Sequence, residues 1–331
     1  MIQMDEWVTA SAPGKFVILG EHSVVYGKPA VVMAVDRRIS CSIRRSTRNT
    51  LNGDAVAFSK QPHFRYLTRG INQKYDYVTN SQIPPGSGMG SSAALSAAIA
   101  LALRTERGIE TTEKEIAEEA YGAELFAQGN GSPMDASACV HGKGIGVNIP
   151  MGSGEDLWTI TRGERVWDVS DLEVPDMTFV IGNTGIRAPT GPQVDKVRRF
   201  IRHSRFASDI VDEIAAVTLL GYNAIRRHDL QDLGELMTRD HKLLSILGVS
   251  CKELNKLVNA ALPYSYGAKL TGSGGGGCMV ALTDQPEKVA EAISSRGGTP
   301  YIVKTGVEGA RIETGMSEDP VMDIPDLYPQ K

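Results

Sequence analysis

The amino-acid sequence predicts an α+β protein made of two fused lobes. The chain has 331 residues, more than one hydrophobic core ordinarily holds and enough for two. Hydrophobic residues make up 41% and charged residues 22%, the proportions of a soluble globule. Strand-like alternation and helix-like periodicity are mixed along the chain rather than strictly alternating, which favours α+β over a parallel α/β sheet.

Taken in order, Trp7 to Ala12 reads as a short strand ended by Ser11, Ala12, Pro13 and Gly14, with a second apolar run at Lys15 to Leu19. Ala30 to Val35 and Ile39 to Arg44 read as two further strands, and the polar stretch from Thr47 to Lys60 as a hairpin. Phe64 to Asn72 fits a helix, and Tyr75 to Ile83 a strand leading into a glycine-rich loop. A helix rich in small residues runs from Ser91 to Arg107 and stops at Gly108. Thr111 or Thr112 with Glu115 forms a capping box for the next helix, which reaches about Gln128. Small apolar Met134 to Val140 and a strand at Gly142 to Asn148 follow. Strand fragments around acidic turns fill Met151 to Asp176, the expected crossing between lobes, before a strand at Met177 to Ile181. Helical pattern dominates Val194 to about Ala261, broken at Ser204, at His228 and Asp229, and at Gly248. Then come strand, glycine loop and strand over Ser265 to Leu282, a helix at Pro286 to Ser295 and a strand at Pro300 to Lys304. The residues after Gly315 read as a loosely held acidic tail.

Charge and cysteine usage narrow the function. A formal net charge of −4 argues against general nucleic-acid binding, which wants a basic face. Cys41, Cys139, Cys251 and Cys278 are scattered without zinc spacing, as expected of a reducing cytoplasm. No apolar run approaches membrane-spanning length, and the acidic N-terminus lacks a signal-peptide pattern.

The chemistry centres on Ile83 to Ala98. Two prolines, Pro84 and Pro85, stop the preceding strand; Gly86, Gly88 and Gly90 alternate with Ser87 and Met89; Ser91 and Ser92 stand where a helix would be capped. A glycine turn that opens a helix brings backbone N–H groups and the positive end of the helix dipole to a phosphate. No lysine follows Gly90, as a Walker loop requires, and Ser91 stands where a dinucleotide fingerprint needs its third glycine. The plain structural alternative is a turn into a buried alanine-rich helix.

Four other places carry reactive groups. Lys15 follows the Pro13-Gly14 turn, though most lone lysines are simply solvated. Glu21 and His22 follow Gly20, and a lone histidine is more often structural than catalytic. Glu124, late on a helix, and Asp135, after a Gly-Asn-Gly-Ser-Pro turn, are two carboxylates that can converge, one on a divalent cation and one beside a nucleophile. They are equally two exposed acids. Gly272 to Gly277 satisfies the dinucleotide spacing, but the apolar strand Cys278 to Leu282 follows where a helix is required, so that match is rejected.

Ala12-Pro13-Gly14-Lys15, Pro85 to Ser92 and Gly272 to Gly277 occur in this order with separations that resemble the three motifs of the GHMP kinases. That superfamily includes galactokinases, homoserine kinases, mevalonate kinases and phosphomevalonate kinases. Within it, Gly20-Glu21-His22-Ser23-Val24-Val25-Tyr26-Gly27 is similar to the mevalonate kinases; galactokinases continue after Glu-His with Thr-Asp-Tyr. The resemblance implies a two-lobed GHMP kinase fold, with an N-terminal lobe like ribosomal protein S5 domain 2, a ferredoxin-like C-terminal lobe, and the active site in the cleft between them. Its expected boundaries are residues 1–170 and 171–315, with a tail at 316–331. It implies ATP-dependent phosphorylation of mevalonate with Mg2+ as cofactor.

The same resemblance implies roles by position. Asp135 and Lys15 are the catalytic pair, and both also touch the acceptor. Ser92 and Glu124 are the magnesium ligands. Pro85, Gly86, Ser87, Gly88, Met89, Gly90, Ser91, Ser92 and Ser273 bind ATP. Glu21, His22 and Thr190 contact the acceptor. Ala136 stands where relatives often carry Asn or Thr, and Gly191-Pro192-Gln193 is unusual after Thr190. Another GHMP small-molecule kinase and a non-catalytic nucleotide-binding regulator stay open alternatives, and the sequence leaves room for a homodimer.

Overall fold

In a computed structural model the described residues are 6–84, 86–129, 131–150, 154–317 and 319. The first strand, β1 (Val8–Leu19), runs unbroken through Pro13 and Gly14 and pairs antiparallel with β2 (Ala30–Ser46). Each therefore joins two runs that the sequence reading divided. Pro13 faces Arg38 while Gly14 faces Val35, so Asp36 and Arg37 are surplus residues of a bulge. A bulge bends a strand and re-aims its side chains without ending the pairing.

The hairpin β3 (Thr50–Leu51) and β4 (Asp54–Ala55) follows, then α1 (Pro62–Leu67), which starts earlier than the pattern suggested because Pro62 supplies its first turn. Next are β5 (Lys74–Ser81), α2 (Ser91–Glu106), α3 (Glu113–Gln128) and α4 (Met134–His141). Thr112 makes the capping box with Glu115. β6 (Gly144–Val147), β7 (Asp156–Arg162) and β8 (Arg165–Leu172) complete a sheet ordered β4-β3-β5-β2-β6-β8-β7, with β1 paired to β2. Helix α2 is apolar nearly all round and is buried between this sheet and α3, its alanines letting the backbones approach.

The chain then forms β9 (Thr178–Asn183), α5 (Thr190–His203), α6 (Arg205–Arg226), α7 (Leu230–Ile246), α8 (Lys252–Ala261), β10 (Gly267–Thr271), β11 (Cys278–Leu282), α9 (Pro286–Ser295) and β12 (Thr299–Lys304). Its four strands make an antiparallel sheet ordered β10-β11-β9-β12. The last strand, β13 (Arg311–Glu313), returns to the first sheet and pairs with β1. Beyond it, Asp319 accepts hydrogen bonds from Gln82 at 3.0 and 3.1 Å. Among the described residues, no helix is long and apolar enough to cross a membrane.

Candidate active site

A cavity of about 1020 Å³ lies where the two sheets meet, at the upper end of the range for small-molecule sites. The phosphate-type loop, Lys15 and Val17 of β1, the start of α4, the 20–27 turn, the start of α5 and the 272–277 loop all border it.

The bulge carries Lys15 to the loop. Lys15 N–H donates to Met89 O at 2.9 Å, joining β1 to the glycine turn. A side chain at Gly14 would press Ile83 Cδ1 at 2.8 Å and Met89 O at 2.9 Å, so only glycine permits this approach. Gly90 is left-handed, and a Cβ there would sit 2.6 Å from Lys15 Cε, so the lysine stem runs through the space a side chain would fill. Its Nζ meets Asp135 Oδ1 at 2.7 Å. Asp135 lies in the first turn of α4, not on a loop, with its side chain 34% exposed against 8% for that of Lys15. The cation is thus buried behind a carboxylate that faces the cavity.

Gly90, not a serine, is the N-cap of α2, and neither Ser91 nor Ser92 makes a side-chain cap. This corrects the expected cap. Among the described residues no acceptor takes the N–H groups of Ser91, Ser92 and Ala93, which leaves the positive helix end turned to the cavity. Pro85 lies outside the described residues. The loop is held from the second lobe: Asn183 Nδ2 donates to Gly86 O at 3.1 Å and Cys278 Sγ to Ser87 O at 3.0 Å. Burial pushes the Cys278 thiol up to about 12, so it stays protonated to donate.

Ser92 and Glu124 border the same cavity. Glu124 Oε1 accepts from buried His63 at 2.7 Å, and Oε2 from exposed Gln128 at 2.8 Å. Neither His63 nor Gln128 was singled out from the sequence; His63 is 61 residues away on α1, with no local signal of the contact.

At the opposite side, His22 is buried with a positive φ of 63° and a ψ of −38°, uncommon for a residue with a side chain. Its Nε2 lies 3.0 Å from Ser273 O. A carbonyl only accepts, so this bond puts the proton on Nε2 and leaves Nδ1 an acceptor. Burial lowers the His22 pKa, and Lys269 adds to the effect, so the ring is neutral. Glu21 also borders the cavity but is only 2% exposed, with one oxygen ion-paired to Lys269. Thr190 is the first residue of α5 and is exposed at the cavity edge, near two cations the sequence reading passed over, Arg187 and Arg198. Ser273 lines the cavity and spends its carbonyl on His22. Ala136 is buried beside Asp135.

The arrangement joins an anion cradle, a buried cation paired with a carboxylate, and a polar pocket in one cleft. Such a set suits transfer of a charged group to an acceptor held at the far end. Comparison with known proteins agrees. Residues 56–143 match the family described as GHMP kinases N terminal domain, and residues 222–299 match GHMP kinases C terminal. The mevalonate kinase of Thermococcus sibiricus is 35% identical over 92% of this chain and 98% of its own length. That of Pyrococcus furiosus is 33% identical over 92% and 98%. Among solved structures, L. major mevalonate kinase in complex with R-mevalonate shares the fold, with a TM-score of 0.77 at 22% identity over 90% of this chain and 96% of that one.

Proposed function

The chain belongs to the GHMP kinases, as an enzyme that phosphorylates mevalonate from ATP to give 5-phosphomevalonate, and we propose how its own residues divide that work. The observation that carries the proposal is the Lys15–Asp135 ion pair at 2.7 Å, set between the glycine loop and the 20–27 turn.

The triphosphate lies over Gly86 to Ser92, where the uncapped end of α2 offers N–H groups and a positive dipole. Pro85 belongs to the same loop by sequence, and Ser273 reaches the nucleotide from the other wall. The acceptor occupies the end bordered by Glu21, His22 and Thr190, its carboxylate toward Arg187 and Arg198. Asp135 takes the hydrogen bond of the terminal hydroxyl and aims its oxygen at the terminal phosphorus. The new O–P bond forms as the bond to the leaving ADP oxygen breaks, and the hydroxyl proton passes to Asp135. Lys15 offsets the negative charge on the reacting oxygens.

Ser92 and Glu124 fit a magnesium ion held mainly by phosphates and water. They supply a hydroxyl and a carboxylate, both hard oxygen donors, and Gln128 is an exposed partner that can move aside from Glu124. The ion supplies charge neutralisation for the distal phosphates. His63 keeps the Glu124 carboxylate oriented from behind.

The test is a panel: purified protein with ATP and magnesium, offered mevalonate, 5-phosphomevalonate, homoserine and galactose, with ADP release and phosphorylated product measured. Mevalonate is expected to be the preferred acceptor by kcat/KM. Preference for phosphomevalonate or a sugar would move the chain to another branch of the family, and no turnover with any acceptor would favour a binding protein.

A further inference from the structure

Behind the 20–27 turn sits a cluster of charge of which the reaction as drawn involves only Glu21. Lys269, on β10, is 0% exposed, as is Asp240 on α7, and Glu21 is 2% exposed. Lys269 Nζ is ion-paired with a Glu21 oxygen and lies 3.2 Å from Asp240 Oδ2. Glu21 Oε2 is buried without a hydrogen-bond partner, on a residue that borders the cavity. Lys269 and Asp240 do not border it.

The contacts across the lobes come from β10 and from the loop that follows it. Lys269 reaches Glu21, Thr271 Oγ1 donates to Val17 O on β1 at 2.8 Å, and Ser273 O holds His22 at 3.0 Å. Lys269 and Thr271 are alternate residues of β10 and share a face, and the Ser273 carbonyl adds a further contact from the loop beyond the strand. That turn holds His22 at a positive φ outside the usual allowed regions, a conformation that persists only where its surroundings hold it.

A buried ion pair seldom adds stability that a well-packed apolar pair would lack; its use lies more often in fixing one arrangement. Here two carboxylates face one ammonium. Burial pushes Glu21 up to about 8 and raises Asp240 too, each against the pull of Lys269, so a proton takes up the surplus negative charge near neutrality. His241, the next residue on α7, stays neutral at about 4 because of burial and Lys269, and it accepts from Leu270 N–H at 3.2 Å. Asp240 Oδ1 and Glu21 Oε2 are buried without a hydrogen-bond partner, and of these two residues only Glu21 borders the cavity.

We propose that Lys269 and Asp240 are positioning residues for acceptor recognition, holding Glu21 and with it the 20–27 turn in place from the second lobe. This rests on the reading that Glu21 and His22 face the acceptor. Lys269 touches no substrate and acts through Glu21.

A double-mutant cycle tests it, with Glu21→Gln, Lys269→Met and both together, reading KM for mevalonate and for ATP separately. Lys269→Met is expected to raise the mevalonate KM about tenfold and to move the ATP KM less than about twofold, within the range of couplings between contacting residues. In the Glu21→Gln background the same change is expected to add less than about twofold, because its route is already cut. Lys269→Arg restores most of the loss. Equal effects on both substrates, or the same factor in both backgrounds, overturns the proposal. If Lys269→Met alone fails to fold, the doubly changed chain, in which Asp240 can take a proton, decides. A mevalonate KM equal to that of Glu21→Gln supports the proposal, and a severalfold higher one contradicts it. Native mevalonate KM in Glu21→Gln removes the acceptor-side reading itself. An impaired Glu21→Gln beside a silent Lys269→Met removes the positioning role alone.

Discussion

At the residue scale, the site works through side chains whose surroundings leave them one arrangement. Lys15 is buried to its ammonium along the gap left by Gly90 and ends on Asp135. Glu124 is held by His63 on one oxygen and meets the movable Gln128 on the other. Glu124→Gln keeps the shape and removes the charge that a divalent cation needs. The half-saturating magnesium concentration for turnover is expected to rise by about tenfold, and mevalonate binding measured without ATP to stay within about twofold. Unchanged magnesium dependence would take Glu124 out of the metal site. Lys15, Glu124 and Asp135 were legible as candidates from their residue types and neighbouring turns, and the structure brings all three to one cavity. His63, Lys269 and Asp240 were not, since each acquires its meaning from a partner far off in sequence, 61, 248 and 29 residues away respectively.

At the scale of elements, local signals translated well and long-range ones did not. Thr112 with Glu115 announces α3, and the breaks at Ser204, at His228 and Asp229, and at Gly248 separate the helices as expected. Pro13-Gly14 was read as a strand end, yet β1 continues through it opposite the β2 bulge, because the Met89 carbonyl and Ile83 that receive it come from another segment. Asp36 and Arg37 interrupted the apolar pattern of β2 for the same reason: they are the bulge's exposed surplus residues. Met134 to Val140 looked merely small and apolar, yet it forms a helix that lifts Asp135 on its first turn. The glycine loop offers a paired prediction. Gly86→Ala meets open space and bears only the strain of its positive φ, about 1–2 kcal/mol. Gly90→Ala bears that strain and also drives a methyl into the Lys15 stem. Assayed well below both melting temperatures, turnover of Gly90→Ala is expected to fall at least about tenfold below that of Gly86→Ala. Equal turnover would mean that the lysine path is not what Gly90 protects.

At the scale of the molecule, two sheets meet around one cleft, and the chain crosses between them more than once: β13 closes back on β1, and β10 reaches Val17 and Glu21. The mixed pattern of strands and helices foretold an α+β fold; the return of β13, a strand of three residues, carried too little pattern to be seen. A separate tie joins α3, α4 and β8, where His141 donates to Glu113 at 2.9 Å and to Asp171 at 2.7 Å. Burial alone would lower the His141 pKa, but the two carboxylates outweigh it and the net shift is upward. A raised histidine pKa stabilises the fold fully below the unfolded value of about 6.5, and that contribution is lost as pH rises through the folded value. The melting temperature of the native protein should therefore exceed that of His141→Gln most near about pH 6, with the gap shrinking by about pH 9; a gap constant over that range would mean the imidazole is not charged in the fold. The pair proposed to carry the chemistry is tested by a single preparation, Asp135→Asn, assayed for ATP binding and for mevalonate phosphorylation together. Expected is ATP affinity within about twofold of native, with turnover reduced on the order of a hundredfold or more, about 2.7 kcal/mol of lost transition-state stabilisation. Near-native turnover in a protein that still binds ATP would make Asp135 a structural acid, and the transfer would have to be assigned to another residue.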